Sequence, residues 1–539
     1  MLVQQIPVMS VQLNDCGVLI STMSVFIFLL VGLLAIFAAA ALSVYLQAVP
    51  ITAKRESYVL NTSNGQTEID RYWQDISEQA TAPNALALID ENIDAFAGRV
   101  ISARLAGRSL DLMYYMWNAD LTGTLLTKEL IDAADRGVRV RLLIDDLGAS
   151  ISDRAFHALD QHRNIELRLF NPTRARENRL RRAAEMVLRF RSVNRRMHNK
   201  AWIADGRVLI TGGRNIGDAY FDAGEHSNFR DFDLIAYGKV VQDAEEIFDD
   251  YWNSSVSVPI RSLLARRKNR LAKLRSRLNA RARSPAAKPY IDKIKSQFES
   301  GKHLALERLH WTDHADVLAD PPEKAAGKRR RGRNFLMESL MPLMDATRSK
   351  LQITSPYFVP GQQGCQRLST LAERGVDVQI LTNSLAATDV AAVHAGYARY
   401  RKSLLSDGVR LFELRSLFDK EKLSLRGSGQ ASLHTKAFAR DDELAFIGSL
   451  NFDPRSASLN TEMGIVFQSE GLISEMNEIF AMETQRVMSF EVMLSEKDRL
   501  VWKGMVHSQP TSYTSEPYAS ISRRAIAAFM RLLPLESQL

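Results

Sequence analysis

Two stretches of this chain, "HNKAWIAD" from His198 to Asp205 and "HTKAFARD" from His434 to Asp441, each carry a histidine, a lysine two residues on and an aspartate five residues after that. Each is followed at one distance by a glycine and an asparagine, in "TGGRN" (Gly212, Asn215) and "IGSLN" (Gly448, Ser449, Asn451). A lysine ammonium and an asparagine amide are donors that suit the non-bridging oxygens of a phosphate. Histidine serves as a nucleophile at phosphorus or as a general acid–base group near neutral pH. One imidazole cannot easily attack phosphorus and also protonate the leaving group, because the two acts lie on opposite sides. Two copies facing each other supply one histidine for each side. This chemistry requires no metal, and no run of carboxylates or Cys/His ligand spacing argues for one, so no metal or other cofactor is expected.

A lone His-x-Lys arises by chance in many proteins. Here the histidines, the lysines, the aspartates and the asparagines are all separated by the same 236 positions, which points to two copies of one unit. Alternation in both stretches suits a strand, where residues i and i+2 share a face, so each His and Lys should project into one pocket. A short turn and a second strand, "RVLITGG" or "LAFIGSL", then returns the glycine and asparagine beside them.

The elements that must position these residues alternate between helical and strand patterns. "ALALIDENIDAFAGRVISARLAG" has helical spacing, "SLDLMYYMW" reads as a buried strand, "LLTKELIDAADRG" as a helix stopped by Gly137, and "VRVRLLID" as the next strand. "FHALDQH" and "IELRLF" continue the order. The second half repeats it, with helices in "RNFLMESLMPLMDATR" and in "LSTLAERG" ending at Gly375, and strands in "KLQITSPYFV", "VDVQILTNS" and "VRLFELR". Such alternation predicts a largely parallel sheet covered by helices in each half.

The paired motifs resemble the HxK(x)4D signatures of the phospholipase D superfamily. "RRMHNK", "GGRNIGDAYF", "TNSLAATDVAAVHAGYARYR" and "GSLNFDPRSASLNTEMG" are further similar to the C-type bacterial cardiolipin synthases, over roughly Ala85 to the C-terminus. The resemblance implies an α/β protein of two α/β/α sandwich domains related by a pseudo-two-fold axis, with one active site at their interface. It implies His198 as nucleophile on a phosphatidylglycerol phosphate, giving a phosphatidyl-histidine and releasing glycerol. His434 would protonate that leaving group and later deprotonate an acceptor alcohol, from phosphatidylglycerol or phosphatidylethanolamine. Lys200, Lys436, Asn215 and Asn451 would hold the phosphoryl oxygens. An acidic residue on a following strand orients the histidine in the family. Glu462 fits that place in the second copy and Asp231 in the first, with Asp233 as the alternative. Asp205 and Asp441 belong to the catalytic motif and would brace the fold. Gly213 and Arg214 stand where the second copy has Ser449 and Leu450, so the first half lacks the motif's serine hydroxyl.

At 539 residues the chain is long enough for two to four domains. The divisions read from the sequence are 1–50 a membrane anchor, 51–84 a tether, 85–260 the first phospholipase D-like domain, 261–330 a basic connector, and 331–539 the second domain with a C-terminal amphipathic helix. From Cys16 to Ala53 there is no charged residue, which exceeds the ~20 apolar residues a spanning helix needs. A secretory signal is disfavoured by the missing basic n-region and by an apolar run longer than the ~7–15 residues of an h-region. Lys54 and Arg55 follow this segment and only Asp15 precedes it, which predicts a single-pass inner (cytoplasmic) membrane protein of bacterial type with its catalytic part in the cytoplasm. Cys16 and Cys365, the two cysteines, are too few for a disulfide framework and read as packing residues.

The net charge of +8 is uneven: nine arginines stand against Glu177 and Glu185 between Arg174 and Arg196, and Asp292 is the sole acid from Arg261 to Lys295. Such fields favour polyanions, either a membrane surface or nucleic acid. The apolar N-terminus favours anionic and zwitterionic phospholipids as partners, with no nucleic acid expected. A hydrolase would use the same residues with water as acceptor, and a nuclease would use them on a nucleic-acid backbone. Whether a small helper subunit presents the acceptor stays open at this level. Arg195 and Arg196, just before His198, are placed to steer anionic headgroups. Tyr114, Tyr115, Tyr357 and Phe358 stand at strand ends that should border the pocket, suited either to core packing or to acyl-chain contact. In "SISRRAIAAFMRLL", Ile521, Ala525, Phe529 and Leu533 share a helical face, suited either to a bilayer surface or to docking on the second domain.

Overall fold

The strands at the centre of each half are buried on both faces, one mainly apolar and the other carrying buried polar groups such as Asp111, Arg141, Arg168 and Gln352, so both sides are covered. In the computed structural model, Ser109–Tyr114, Arg139–Asp145 and Ile165–Phe170 run parallel to one another. Lys350–Thr354, Asp377–Asn383 and Arg410–Leu414 repeat the arrangement. The structure describes residues 31–32, 56–60, 67–148, 153–176, 179–225, 227–263, 270–300, 304–329, 332, 335–416, 431–533 and 536–538. Residues 51–172 and 192–539 make one compact unit, and residues 1–50 with 173–191 make another. The proposed membrane segment lies outside the described residues save for Val31 and Gly32. Among the described residues, no helix is long and apolar enough to cross a membrane.

Each sheet departs from the expected largely parallel order. Within the two large sheets, parallel pairing is confined to those three strands, and every other neighbour is antiparallel. The cause is the motif itself. Ala201–Ala204 and Val208–Gly212 form a hairpin closed at Asp205 and Gly206, both at positive φ, and Ala437–Arg440 with Leu444–Gly448 form its counterpart closed at Asp441 and Asp442. A three-residue connection permits only antiparallel pairing, whereas a parallel pair needs a crossover. The hairpins add to the parallel strands on one side, followed by Asp233–Gly238 in the first sheet and Met463–Phe467 in the second. The sheets hold nine and ten strands.

Local rules explain most helix ends. Gly137 and Gly375, at φ of 101° and 88°, close Leu121–Asp135 and Gly361–Glu373. Val138 N donates to Ala133 O and Val376 N to Leu371 O, which is the glycine-terminated helix end that L side chains rarely adopt. Two sequence expectations change. Asn84–Ile89, expected within a helix, is a strand pairing with Asp233–Gly238 over six residues, because a short apolar run has no periodicity to separate the two. In the expected tether, Glu68–Ser77 is a helix capped by Thr67, whose hydroxyl accepts from Asp70 N.

Residues 261–330 include the helices Arg270–Ala282 and Lys288–Ser300, which lie against the first half. Tyr290 Oη there donates to Phe221 O at 2.6 Å. One buried cluster joins Leu209, Leu234 and Ala236 of the first sheet with Ala445, Ile447 and Ile465 of the second, so the two halves share a core. In the other unit, residues 173–191, the helix Arg179–Leu188 carries Glu185, whose carboxylate accepts from Arg174 N and Ala175 N and pairs with Arg189.

Candidate active site

The two halves are stitched together by backbone pairing right beside both histidines. Asn228–Arg230 pairs in parallel with Ala431–Leu433, and His434 N donates to Arg230 O at 2.7 Å. Across the pseudo-two-fold, Met197 bridges Thr461, and His198 N donates to Thr461 O at 2.8 Å. Each histidine is therefore delivered next to the acid that follows the opposite strand. His198 Nδ1 lies 2.8 Å from Glu462 Oε2, and His434 Nδ1 lies 2.5 Å from Asp231 Oδ2. The acids expected from the sequence are present, and each serves the histidine of the other half. Asp233 takes a different role, pairing with Arg99 at 2.9 Å and Arg214 at 3.5 Å.

With Nδ1 bonded to a carboxylate, each ring keeps its proton there and offers the Nε2 lone pair to the pocket. Lys200 and Lys436 lie on the same strand faces, folded back so that each Nζ donates to the carbonyl of its own histidine. All four side chains are nearly removed from water. Burial is the main cause that lowers Lys200 to about 7 and Lys436 to about 8. Burial likewise lowers both histidines, reinforced at His434 by Lys436 and Lys200. The acids diverge. Burial pushes Asp231 up to about 6, whereas at Glu462 the opposing pull of His198, Lys200 and Ser449 outweighs burial and holds it below the usual range. A phosphate monoanion or diester would relieve the crowding of two buried ammonium groups.

The serine asymmetry has a steric cause. A Cβ at Gly213 would lie 2.2 Å from Asp231 Oδ1 and 2.5 Å from Oδ2. The short aspartate brings its carboxylate against the backbone, so glycine must stand there. The longer Glu462 leaves room for Ser449, whose hydroxyl bonds Oε2 at 2.5 Å and accepts from Met463 N. Glycine with aspartate and serine with glutamate are two versions of one brace.

The asparagines differ. Asn215 Nδ2 donates to Tyr220 Oη at 2.9 Å and its Oδ1 accepts from Met116 N, so its amide is committed to the first half. Asn451 Oδ1 is buried with no hydrogen-bond partner. Asp205 and Asp441 sit at the far end of their strands, roughly 20 Å from the histidines at 3.3 Å per residue. Asp205 accepts from the backbone amides of Gly107, Arg108 and Ser109, and Asp441 from those of Arg348, Ser349 and Lys350. They bind strand to strand and do not reach the pocket, which follows from hairpin geometry.

Aromatic rings complete the walls. Tyr115 meets His198 edge-on at 5.1 Å, Tyr220 meets His434 at 5.2 Å, and Phe229 tilts against His434 at 4.9 Å. Tyr220 and Phe229 carried no signal by spacing, since they approach through the 3-10 turn Asp218–Tyr220 and the cross-half strand. Of the other ring candidates, Tyr114 is core and bonds Arg99, and Phe358 packs on Tyr397 and Phe452. Tyr357 Oη donates to Asp389. The expected steering role of Arg195 and Arg196 does not hold. Arg196 is buried against Asn171 O and Asp145, and Arg195 donates to Lys324 O and Ser458 O. Asp320, in the expected connector, accepts from Glu462 N and from Lys324, so it braces the acid behind His198. Phe452 and Asp453, just after Asn451, also line a groove of about 820 Å³ walled by Met337, Met341, Val359 and Leu368. Among the described residues one group has metal-ligand spacing, His394, Glu413 and Glu516, and the Arg401 guanidinium already occupies it, 3.0 Å from Glu413 and paired with Glu516.

Two copies of one motif, closing a single pocket across a pseudo-two-fold, match a known group of proteins. The family described as "Cardiolipin synthase, PLD-like domain" matches residues 102–252 and 340–483, the two halves in turn. The chain belongs to this family. It is 39% identical to cardiolipin synthase C of Escherichia coli (strain K12) over 454 residues, covering 83% of this chain and 94% of that one. It is 23% identical over 401 residues to a cardiolipin synthase of Listeria monocytogenes, covering 74% and 69%. Among solved structures, phosphatidylserine synthase from Haemophilus influenzae Rd KW20 shares the fold, with a TM-score of 0.56 at 13% identity, over 87% of this chain and all of that one.

Proposed function

We propose that this protein is a membrane-associated phosphatidyltransferase that makes cardiolipin from phosphatidylglycerol through a phosphatidyl-histidine. The observation that carries the reading is the facing pair of imidazoles, each with Nδ1 on a carboxylate of the opposite half. The diester phosphate sits between Lys200 and Lys436, with Asn451 as a further donor. Its negative charge offsets the ammonium repulsion that keeps both rings neutral. His198 Nε2 attacks phosphorus, the bond to the headgroup oxygen breaks, and the departing glycerol takes a proton from Nε2 of His434, which is protonated there once the bound diester has offset that repulsion. The headgroup alcohol of a phosphatidylglycerol then loses its proton to His434 and attacks phosphorus, and the P–N bond breaks. Phosphatidylethanolamine has no headgroup hydroxyl, so it enters this scheme as a phosphatidyl donor releasing ethanolamine, not as the acceptor expected from the sequence. Glu462 supports His198 as the nucleophile, because a carboxylate held in its charged form stabilises the cationic phosphoryl-imidazolium.

The groove that Phe452 lines, with apolar walls at Met337, Met341, Val359 and Leu368 and charged groups at Glu338, Asp345 and Arg367, suits an acyl chain along its apolar side and supports a lipid substrate. The segment from Cys16 to Ala53 supports a single membrane pass with the catalytic part in the cytoplasm.

The test incubates purified protein with labelled phosphatidylglycerol, with and without phosphatidylethanolamine, and separates the lipid products. Cardiolipin supports the reading, and its dependence on phosphatidylethanolamine identifies the phosphatidyl donor. Phosphatidic acid as the sole product would make the protein a hydrolase, and cleavage of DNA with no lipid turnover would remove the lipid reading. His198→Ala and His434→Ala should each lower turnover by about 10⁴-fold or more. Near-normal turnover in either variant would refute a single shared site.

A further inference from the structure

The C-terminal helix Ile521–Leu532 is the most exposed apolar element in the described part of the larger unit. Ile521 is 86% exposed, Phe529 62% and Leu532 82%. At 100° per residue these three and the exposed Ala525 and Ala528 fall within one arc of about 100°. The face seen in the sequence is present, except that Leu532, not Leu533, completes it. It is not the packing face. The helix sits on Ala391–Tyr397, with its underside fixed by Arg523 to Thr388 O and Arg524 to Glu516 O. Arg399 binds the carbonyls of Arg531 and Leu533 at the other end. Arg524 and Arg531 lie along one edge of the outward arc, and no acidic residue occurs from Pro517 to Leu535.

The helix also has a fixed relation to the pocket. Thr388, which anchors its start, precedes Asp389, the residue that holds Tyr357 and acts electrostatically on His434. Beyond its end, Glu536 accepts from Tyr400 and Arg399, and Gln538 accepts from Asn194, four residues before His198. The C-terminal segment thus borders the site on the His434 side at one end and on the His198 side at the other.

We propose that this arc lies in the headgroup layer of an anionic phospholipid bilayer, setting the mouth of the site against the membrane surface so that lipid headgroups enter without leaving the bilayer. An amphipathic helix with an apolar arc, a basic edge and no acids fits that interface. Charge complementarity selects an anionic bilayer over a neutral one. The benefit to turnover rests on the function proposed above, whereas the contact itself does not.

The test uses the full chain, with Cys16→Ser and Cys365→Ala, reconstituted in phosphatidylglycerol–phosphatidylethanolamine vesicles. An environment-sensitive fluorophore is placed at Leu532→Cys, and at Lys503→Cys on an exposed strand position as the control. Quenching by nitroxide lipids should be at least about threefold stronger at residue 532 than at 503, and weaker in phosphatidylcholine vesicles. Equal quenching at both sites overturns the proposal. Protection of residue 532 from aqueous quencher without nitroxide-lipid quenching overturns it too, assigning the face to a second copy or to the chain's own N-terminal apolar segment. A second measurement compares Ile521→Asp/Leu532→Asp with the parent chain on vesicle and on soluble short-chain phosphatidylglycerol. The variant should lose about tenfold in kcat/KM on vesicles and keep its rate on the soluble lipid. Equal loss on both substrates would make the helix a purely structural support. A parent chain inactive on both lipids would sink the proposed function, while the quenching result still decides the membrane contact.

Discussion

At the scale of residues, the site is a contest between burial and charge. Two buried lysines, lowered to about 7 and about 8, must keep their protons to hold a phosphodiester. In the proposed mechanism the attacking histidine must be neutral, and burial already holds both rings below 6.5. Rising pH therefore removes binding charge first, and falling pH removes the nucleophile only below 6.5. The kcat/KM profile should fall on its alkaline side between about 7 and 8, with its acid limb below 6.5. The alkaline limb of kcat should lie higher, because bound phosphate supports the ammonium form. A pH series on one lipid substrate checks this, and a kcat/KM that rises to pH 9 would refute it. Gly213 gives a second residue-scale test. Gly213→Ser should cost at least about tenfold in kcat by displacing Asp231. Adding Asp231→Glu, which copies the Ser449–Glu462 brace, should recover part of that loss.

The elements divide into those that carry the reaction and those that hold them in register. Asp205 belongs to the second group. Its carboxylate takes three backbone amides in a corner with no access to water, so Asp205→Ala leaves donors unpaired at about 1–3 kcal/mol. We expect a fall in denaturation midpoint with kcat of the folded fraction within about twofold, read by chemical denaturation and active-site-normalised turnover. A loss of kcat at unchanged stability would instead return this aspartate to the chemistry. The hairpins show the same division: the polar end of each strand faces the pocket and the turn end clamps the neighbouring strand.

At the scale of the whole molecule, the proposed site needs both halves. Each histidine takes its acid from the other half, and Leu209, Leu234 and Ala236 have their apolar neighbours in Ala445, Ile447 and Ile465. A chain ending at residue 330 should show no turnover and should self-associate through the uncovered sheet face, as seen by light scattering. A monodisperse, active fragment would contradict the shared site.

Repetition was legible along the chain because it needs only residue identity and spacing: the offset of 236 positions named His198, Lys200, His434 and Lys436 with no coordinates. The α/β alternation and the glycine stops at Gly137 and Gly375 were legible for the same reason, since local backbone preferences set them. Tertiary structure alone decided the rest. Which acid serves which histidine depends on two strand pairings between segments more than 200 residues apart. Tyr220, Phe229 and Asp320 reach the site through those same long-range contacts, and Asn215 is withdrawn from it by Tyr220. Spacing along one strand fixes what shares a face; what meets that face is set by packing between strands, and no local pattern encodes it.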